Sequence, residues 1–225
     1  IRTPLNAVLG MVYLALRAQP SADQLQYLGK IKASGEHLLN LINEILDFSK
    51  IDAGKLQLEE APFNLDQLLY NVHQLSEGTA RLKGLELQVH ADPSLPRQLV
   101  GDALRLEQIL INYVNNALKF TGTGRVAIRV HPPQGPVQLV PGEWCTVCFE
   151  VSDTGIGLRS LQMERLFESL DQADNSTTRR FGGTGLGLAI CQMIIEGHGG
   201  RIAVKDSLTS RGSDFWFVLP RQSIR

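Results

Sequence analysis

No stretch of this chain is apolar for the roughly 20 residues that a membrane-spanning helix needs, so no membrane contact is expected of this segment. Charge of one sign is not in excess either. Lys and Arg number 22 against 23 Asp and Glu, a formal net charge of -1, which excludes the basic profile of a nucleic-acid binder. Cysteine is scarce, with three in all, and that suits a reducing compartment. Cys145 and Cys148 form a lone CxxC in a strand-like run. A strand points them to opposite faces, and no second Cys or His pair is nearby, so neither a metal nor a redox role is expected. Repeats and low-complexity tracts are absent. No signal peptide is visible, but the sequence looks cut at Ile1, so that absence excludes nothing.

What is present describes an ordinary globular chain. Its 225 residues, 43% hydrophobic, allow one or two domains with a proper core. Residues 1–18 carry Leu5, Leu9, Val12 and Leu16 at helical spacing. Residues 22–50 carry Leu28, Ile31, Gly35, Leu38, Ile42 and Ile45 near a 3.5-residue repeat, widened by Leu39, Leu41 and Leu46. Gln19-Pro20-Ser21 reads as the turn between them, with Ser21 an N-cap. One hairpin cannot bury so wide a face, whereas two copies in an antiparallel four-helix bundle can. The alternative is a hairpin packed on its own globular domain. Asp52-Ala-Gly54 breaks the pattern and marks a boundary, giving a hairpin over 1–56 and a second domain over 62–225.

The second domain mixes elements. Leu65–Thr79, Asp102–Phe120 and Leu186–His198 read as helices, the last closed by Gly199-Gly200. Strands are expected at Glu86–Ala91, Arg125–His131, Trp144–Ser152, Arg201–Asp206 and Asp214–Leu219. Prolines and glycines between His131 and Gly142 mark a loop. The fold class is α+β, a helical hairpin followed by an α/β sandwich.

Three strings stand out in the sandwich. On helix 102–120, Leu106, Ile109, Leu110, Tyr113 and Ala117 make the core face, while Arg105, Gln108, Asn112, Asn116 and Lys119 line another stripe. Interior asparagine costs a helix up to about 0.7 kcal/mol relative to alanine, so three within five residues suggest a chemical task. An amide oxygen is a hard ligand suited to magnesium. Asp153-Thr-Gly155-Ile-Gly157 ends a strand, where a carboxylate can accept from an exocyclic amine and the glycines permit close backbone approach. Gly182-Gly183-Thr184-Gly185-Leu186-Gly187 opens a helix, where free N–H groups and the helix dipole suit phosphates. Each string alone is weak; their order carries the inference.

This order resembles the ATP-binding domain of sensor histidine kinases, and Ile1-Arg2-Thr3-Pro4-Leu5-Asn6 resembles the tail of that family's His-Glu-x-x-Thr-Pro phosphoacceptor box. The resemblance implies that the chain binds ATP and Mg2+. Asn116 would ligate the metal, Lys119 would contact phosphate, and Asp153, with Gly155 and Gly157, would read the adenine amino group. Gly183, Thr184, Gly185, Leu186 and Gly187 would cradle phosphates. Asn112 stands where related hydrolytic ATPases carry a glutamate base, which fits transfer to a protein rather than hydrolysis. Residues 158–181 resemble the family's ATP lid, and Gly212-Ser-Asp-Phe215 its last glycine box. Leu158-Arg159 and Ser169-Leu170 depart from the family pattern, away from the expected ligand contacts.

By the same resemblance the accepting histidine lies two positions before Ile1. None of His37, His73, His90, His131 and His198 is followed by an acid and Thr-Pro. Thr3 matches the residue that positions water in relatives with phosphatase activity. The expected partners are a second copy of the chain, as a homodimer, and the receiver domain of a response regulator. The expected setting is cytoplasmic, as part of a membrane-anchored sensor, with a hybrid-type receiver beyond Arg225 as one version. The alternative function is a dimeric ATP-binding regulatory module without productive phosphotransfer.

Overall fold

The computed structural model describes residues 2–18, 20–53, 58–132, 144–158, 186–206 and 212–223. Contacts divide them into a helical unit and a mixed α/β unit. In the first, α1 (Arg2–Arg17) and α2 (Ala22–Asp52) form a hairpin. Ser21 caps α2 as expected: its hydroxyl accepts from the Gln24 N–H at 3.3 Å, and its own N–H donates to Gln24 Oε1 at 2.8 Å. Val12 is buried, and Gly35 lets α2 come against Leu9 and Leu5. A second apolar row stays uncovered. Ile31, Leu38 and Ile45, seven residues apart, are 47%, 46% and 54% exposed.

The second unit contains β1 (Ala61–Asn64), α3 (Leu65–Leu82), β2 (Glu86–Ala91), β3 (Gln98–Gly101), α4 (Ala103–Phe120), β4 (Arg125–His131), β5 (Trp144–Asp153), α5 (Leu186–Gly197), β6 (Arg201–Asp206) and β7 (Ser213–Ser223). The strands form one sheet in the order β1-β3-β7-β5-β4-β2, with β6 also on β7. Among the described strands only β2 and β4 run parallel. Helix α4 packs on β4 and β5, and α3 on β1, β2 and α4. The core is aromatic at its centre. Phe149 and Phe217, opposite each other on β5 and β7, stack at 4.9 Å, and Tyr113 of α4 meets Phe217 edge-on at 5.9 Å.

The expected α+β class stands. Two strands were not anticipated, β1 and β3, which pair with each other. Each is four residues long, too short to show a period, and β1 contains Pro62, tolerated there because it is an edge strand. Among the described residues no helix is long and apolar enough to cross a membrane. Cys145, Cys148 and Cys191 are buried and unlinked. The expected loop after His131, most of the expected lid, and Gly54 lie outside the described residues.

Candidate active site

The site starts from how α4 is held. Asp102 caps its N-terminus, Oδ1 accepting from the Arg105 N–H at 3.0 Å. Leu106, Ile109, Leu110, Tyr113, Val114, Ala117 and Leu118 are buried, which fixes the helix's rotation. That rotation leaves Asn112 and Asn116 half-buried on a different face and Lys119 exposed near its end. Asn116 Nδ2 donates to Asn112 Oδ1 at 3.0 Å, one turn apart. Farther up the stripe, Arg105 Nη1 donates to Gln108 Oε1 at 2.7 Å. Partial burial holds the Lys119 ammonium below its ordinary pKa, with Nζ 5.2 Å from the centre of the Phe120 ring.

The end of α4 meets the end of β5. The Ile156 N–H reaches the Phe120 carbonyl at 3.4 Å, and a Cβ on Gly155 would stand 2.5 Å from that same oxygen. Glycine is therefore needed at 155 for the turn to close on the helix. Gly157 follows with φ of 70°. Asp153 is only 5% exposed. Its Oδ1 accepts from the Gly155 N–H at 2.7 Å, and Ser213 adds hydrogen bonds from backbone and hydroxyl. Burial raises its pKa above the ordinary value, the Asp214 charge pushing the same way, while these hydrogen bonds oppose the shift.

The third string arrives through α5. Gly187, in its first turn, lies so close to Asn112 that any Cβ would collide with the Asn112 amide nitrogen. The asparagine row and the end of the glycine string, 71 or more residues apart in sequence, therefore share one place. Gly183, Thr184 and Gly185 lie outside the described residues, and of Leu186 only the backbone is described, opening α5. Thr3 is exposed in the first turn of α1, in the helical unit.

Three further residues support the site; Ser213 and Thr154 lie within the glycine-containing strings without having been given a role, and Lys83 lies in none. Ser213 reaches Asp153 only because β5 and β7 pair with Ser152 opposite Asp214. Thr154 Oγ1 accepts from the Arg125 N–H at 3.0 Å and so ties the turn to β4. Lys83, from the end of α3, donates to the Leu118 carbonyl at 2.7 Å and secures the last turn of α4.

Among the described residues no cluster of three His, Cys, Asp or Glu side chains could hold a metal. The donors at hand are amides. Asn116 has its nitrogen committed to Asn112, which leaves its oxygen, a hard donor that fits magnesium shared with phosphates.

Residues 101–223, more than half the chain, match the family model described as histidine kinase-, DNA gyrase B- and HSP90-like ATPase. The chain belongs to this ATPase family. Residues 1–54 match a second model, the His kinase A (phospho-acceptor) domain. Among curated relatives of this ATPase, the sensor histidine kinase GacS of Pseudomonas protegens is 46% identical over 222 residues, covering 97% of this chain and 23% of that protein. The signal transduction histidine-protein kinase BarA of Escherichia coli K12 is 42% identical over 217 residues, covering 96% of this chain and 23% of that protein. The chain thus spans about a quarter of the length of these relatives. A crystal structure of full-length ShkA in complex with AMPPNP matches with a TM-score of 0.76 and 36% identity, covering 99% of this chain and 44% of that one.

Proposed function

We propose that the chain is the catalytic core of a sensor histidine kinase. In this reading residues 1–56 are a dimerisation and histidine-phosphotransfer hairpin, and residues 62–225 are the catalytic ATP-binding domain. The observation that carries it is the contact of Gly187 with Asn112 on α4, the helix whose end meets the turn that holds Asp153. Support also comes from ShkA, a structural relative solved with an ATP analogue.

The Asp153 carboxylate accepts from the adenine amine, held in place by Gly155 and Ser213. The opening N–H groups of α5 have no partners within their own helix and point their dipole at the phosphates. Asn116 offers its amide oxygen to magnesium, and Lys119 its ammonium to phosphate. Magnesium, when bound, would neutralise charge on the β- and γ-phosphates. Asn112 keeps Asn116 oriented and offers no base for water, so the site favours a protein acceptor over hydrolysis. An imidazole nitrogen attacks the γ-phosphorus, the bond to the β,γ-bridging oxygen breaks, and ADP leaves. Such transfer depends on positioning and charge neutralisation.

In this reading the accepting histidine belongs two positions before Ile1, and the phosphoryl then passes to a receiver-domain aspartate of a response regulator. Thr3, one turn on, is suited to position water for the reverse, phosphatase, reaction. The uncovered row Ile31, Leu38 and Ile45 supports a homodimer through the hairpin. The setting is the cytoplasmic side of a membrane-anchored sensor.

Titration calorimetry with ADP, with and without magnesium, tests the site. Asn116→Ala should weaken magnesium-dependent binding at least about tenfold, the loss seen when even an outer partner of a metal is removed. Asp153→Ala removes a hydrogen bond to a charged group, about 1.5–3 kcal/mol, and should weaken binding in either condition. Unchanged affinity in both variants would sink the assignment.

A further inference from the structure

The chain enters the α/β unit through residues 58–60, and two contacts tie this segment to the far ends of the helices that carry the nucleotide residues. Leu58 Cδ1 lies 3.3 Å from where a Cβ on Gly197, the last residue of α5, would stand. The Glu59 N–H donates to Asp102 Oδ2 at 3.2 Å, while Oδ1 of the same carboxylate caps α4. Glu60 is exposed, yet its charge acts on the buried Arg221 and the half-buried His198.

Arg221 is the unusual member. It is only 4% exposed and lies flat on Gly101, where a Cβ would come within 3.0 Å of its Nε. Its Nη1 donates to the Pro220 carbonyl at 2.7 Å. Its Nε and Nη2 are buried and find no acceptor among the described residues, and His198 Nε2 is in the same position. Burial lowers the Arg221 pKa to about 10, opposed by the charges of Asp102, Cys145 and Glu60. Two open donors on a buried guanidinium are costly, because each has lost water without gaining a partner. Of the two carboxylates that act on it, Asp102 has both oxygens engaged by backbone N–H groups. Glu60 belongs to an exposed segment and has its carboxylate to give.

We propose that Arg221 is a latch: when residues 58–60 seat inward, its Nε and Nη2 take the Glu60 carboxylate, and the seated segment steadies the Asp102 cap of α4 and the end of α5. Arg221 and Glu60 are then positioning residues for nucleotide binding, through which movement of the entering chain reaches the site. This rests on the nucleotide reading of that site.

Glu60→Gln, Arg221→Lys and the double variant, each in the whole chain, test the latch. ADP affinity is measured by calorimetry, and exchange of the Glu59 amide by hydrogen–deuterium exchange, with melting curves to show that each variant is folded. Each single change should weaken ADP binding about threefold or more, and the double variant should be no weaker than the poorer single, as expected of groups acting on each other. Glu59 exchange should speed up in Glu60→Gln without ADP. Additive effects on affinity, or Glu59 exchange unaltered by Glu60→Gln, would overturn the latch. If Arg221→Lys fails to fold, the exposed Glu60→Gln decides alone. A wild type that binds no ADP removes the nucleotide reading instead, and the exchange measurement still judges the latch.

Discussion

At the scale of single residues the site is governed by Asp153, a carboxylate kept from water. Its pKa is raised by burial, so the folded chain holds the proton more tightly than the unfolded chain does. The sign follows. At a pH below the ordinary aspartate value both states are protonated and the group has no effect on stability. As pH rises from there through the raised folded pKa, ionisation costs the folded state stability. Denaturant titrations across that window should show wild type losing stability relative to Asp153→Asn. An adenine amine would favour the ionised form, so wild-type ADP affinity should fall as pH drops through the same window. Affinity in Asp153→Asn should be lower and flatter with pH. A wild-type affinity flat with pH would mean that the carboxylate does not face the base.

At the scale of elements, the hairpin and the glycine helix make separate demands. Row Ile31, Leu38 and Ile45 has the seven-residue spacing of a helix-bundle seam but no cover within the hairpin. Leu38→Asp should leave the chain folded and dissociate the proposed dimer. Each protomer would lose a leucine worth about 1.5–3 kcal/mol when buried, so the dimer Kd should rise at least about tenfold. Light scattering over a dilution series reads this; a wild type that stays monomeric would remove the bundle. At the start of α5 the demand is for absence of a side chain. Gly187→Val should push Asn112 aside and weaken ADP binding, while the melting temperature falls less than for a core cavity.

At the scale of the whole molecule, the proposed kinase needs an acceptor in reach of the site. None of the five histidines has the acid and Thr-Pro context of the phosphoacceptor box. A chain extended by His-Glu ahead of Ile1 should therefore take an acid-labile, base-stable label from radiolabelled ATP and magnesium. The 225-residue chain should bind nucleotide without being labelled. Equal acid-labile labelling of both would place the acceptor within the chain, with His37 the first to replace.

Much of this was legible in the residues alone, for a physical reason. Local periodicity set α4, with Leu106, Ile109, Leu110, Tyr113 and Ala117 on its buried face, and side-chain chemistry set the capping of α2 by Ser21. Both depend on neighbours within a turn or two. The four-residue strands β1 and β3 were not legible, because a strand that short is defined by its partner rather than by its pattern. Nor was the hold of Ser213 on Asp153, which exists only through the register of β7 against β5. The closeness of Gly187 to Asn112, and of Arg221 to Gly101, belongs to the same class. Spacing along the chain decides which face of a helix a side chain occupies. Which distant backbone comes against that face is decided only when sheet and helices pack.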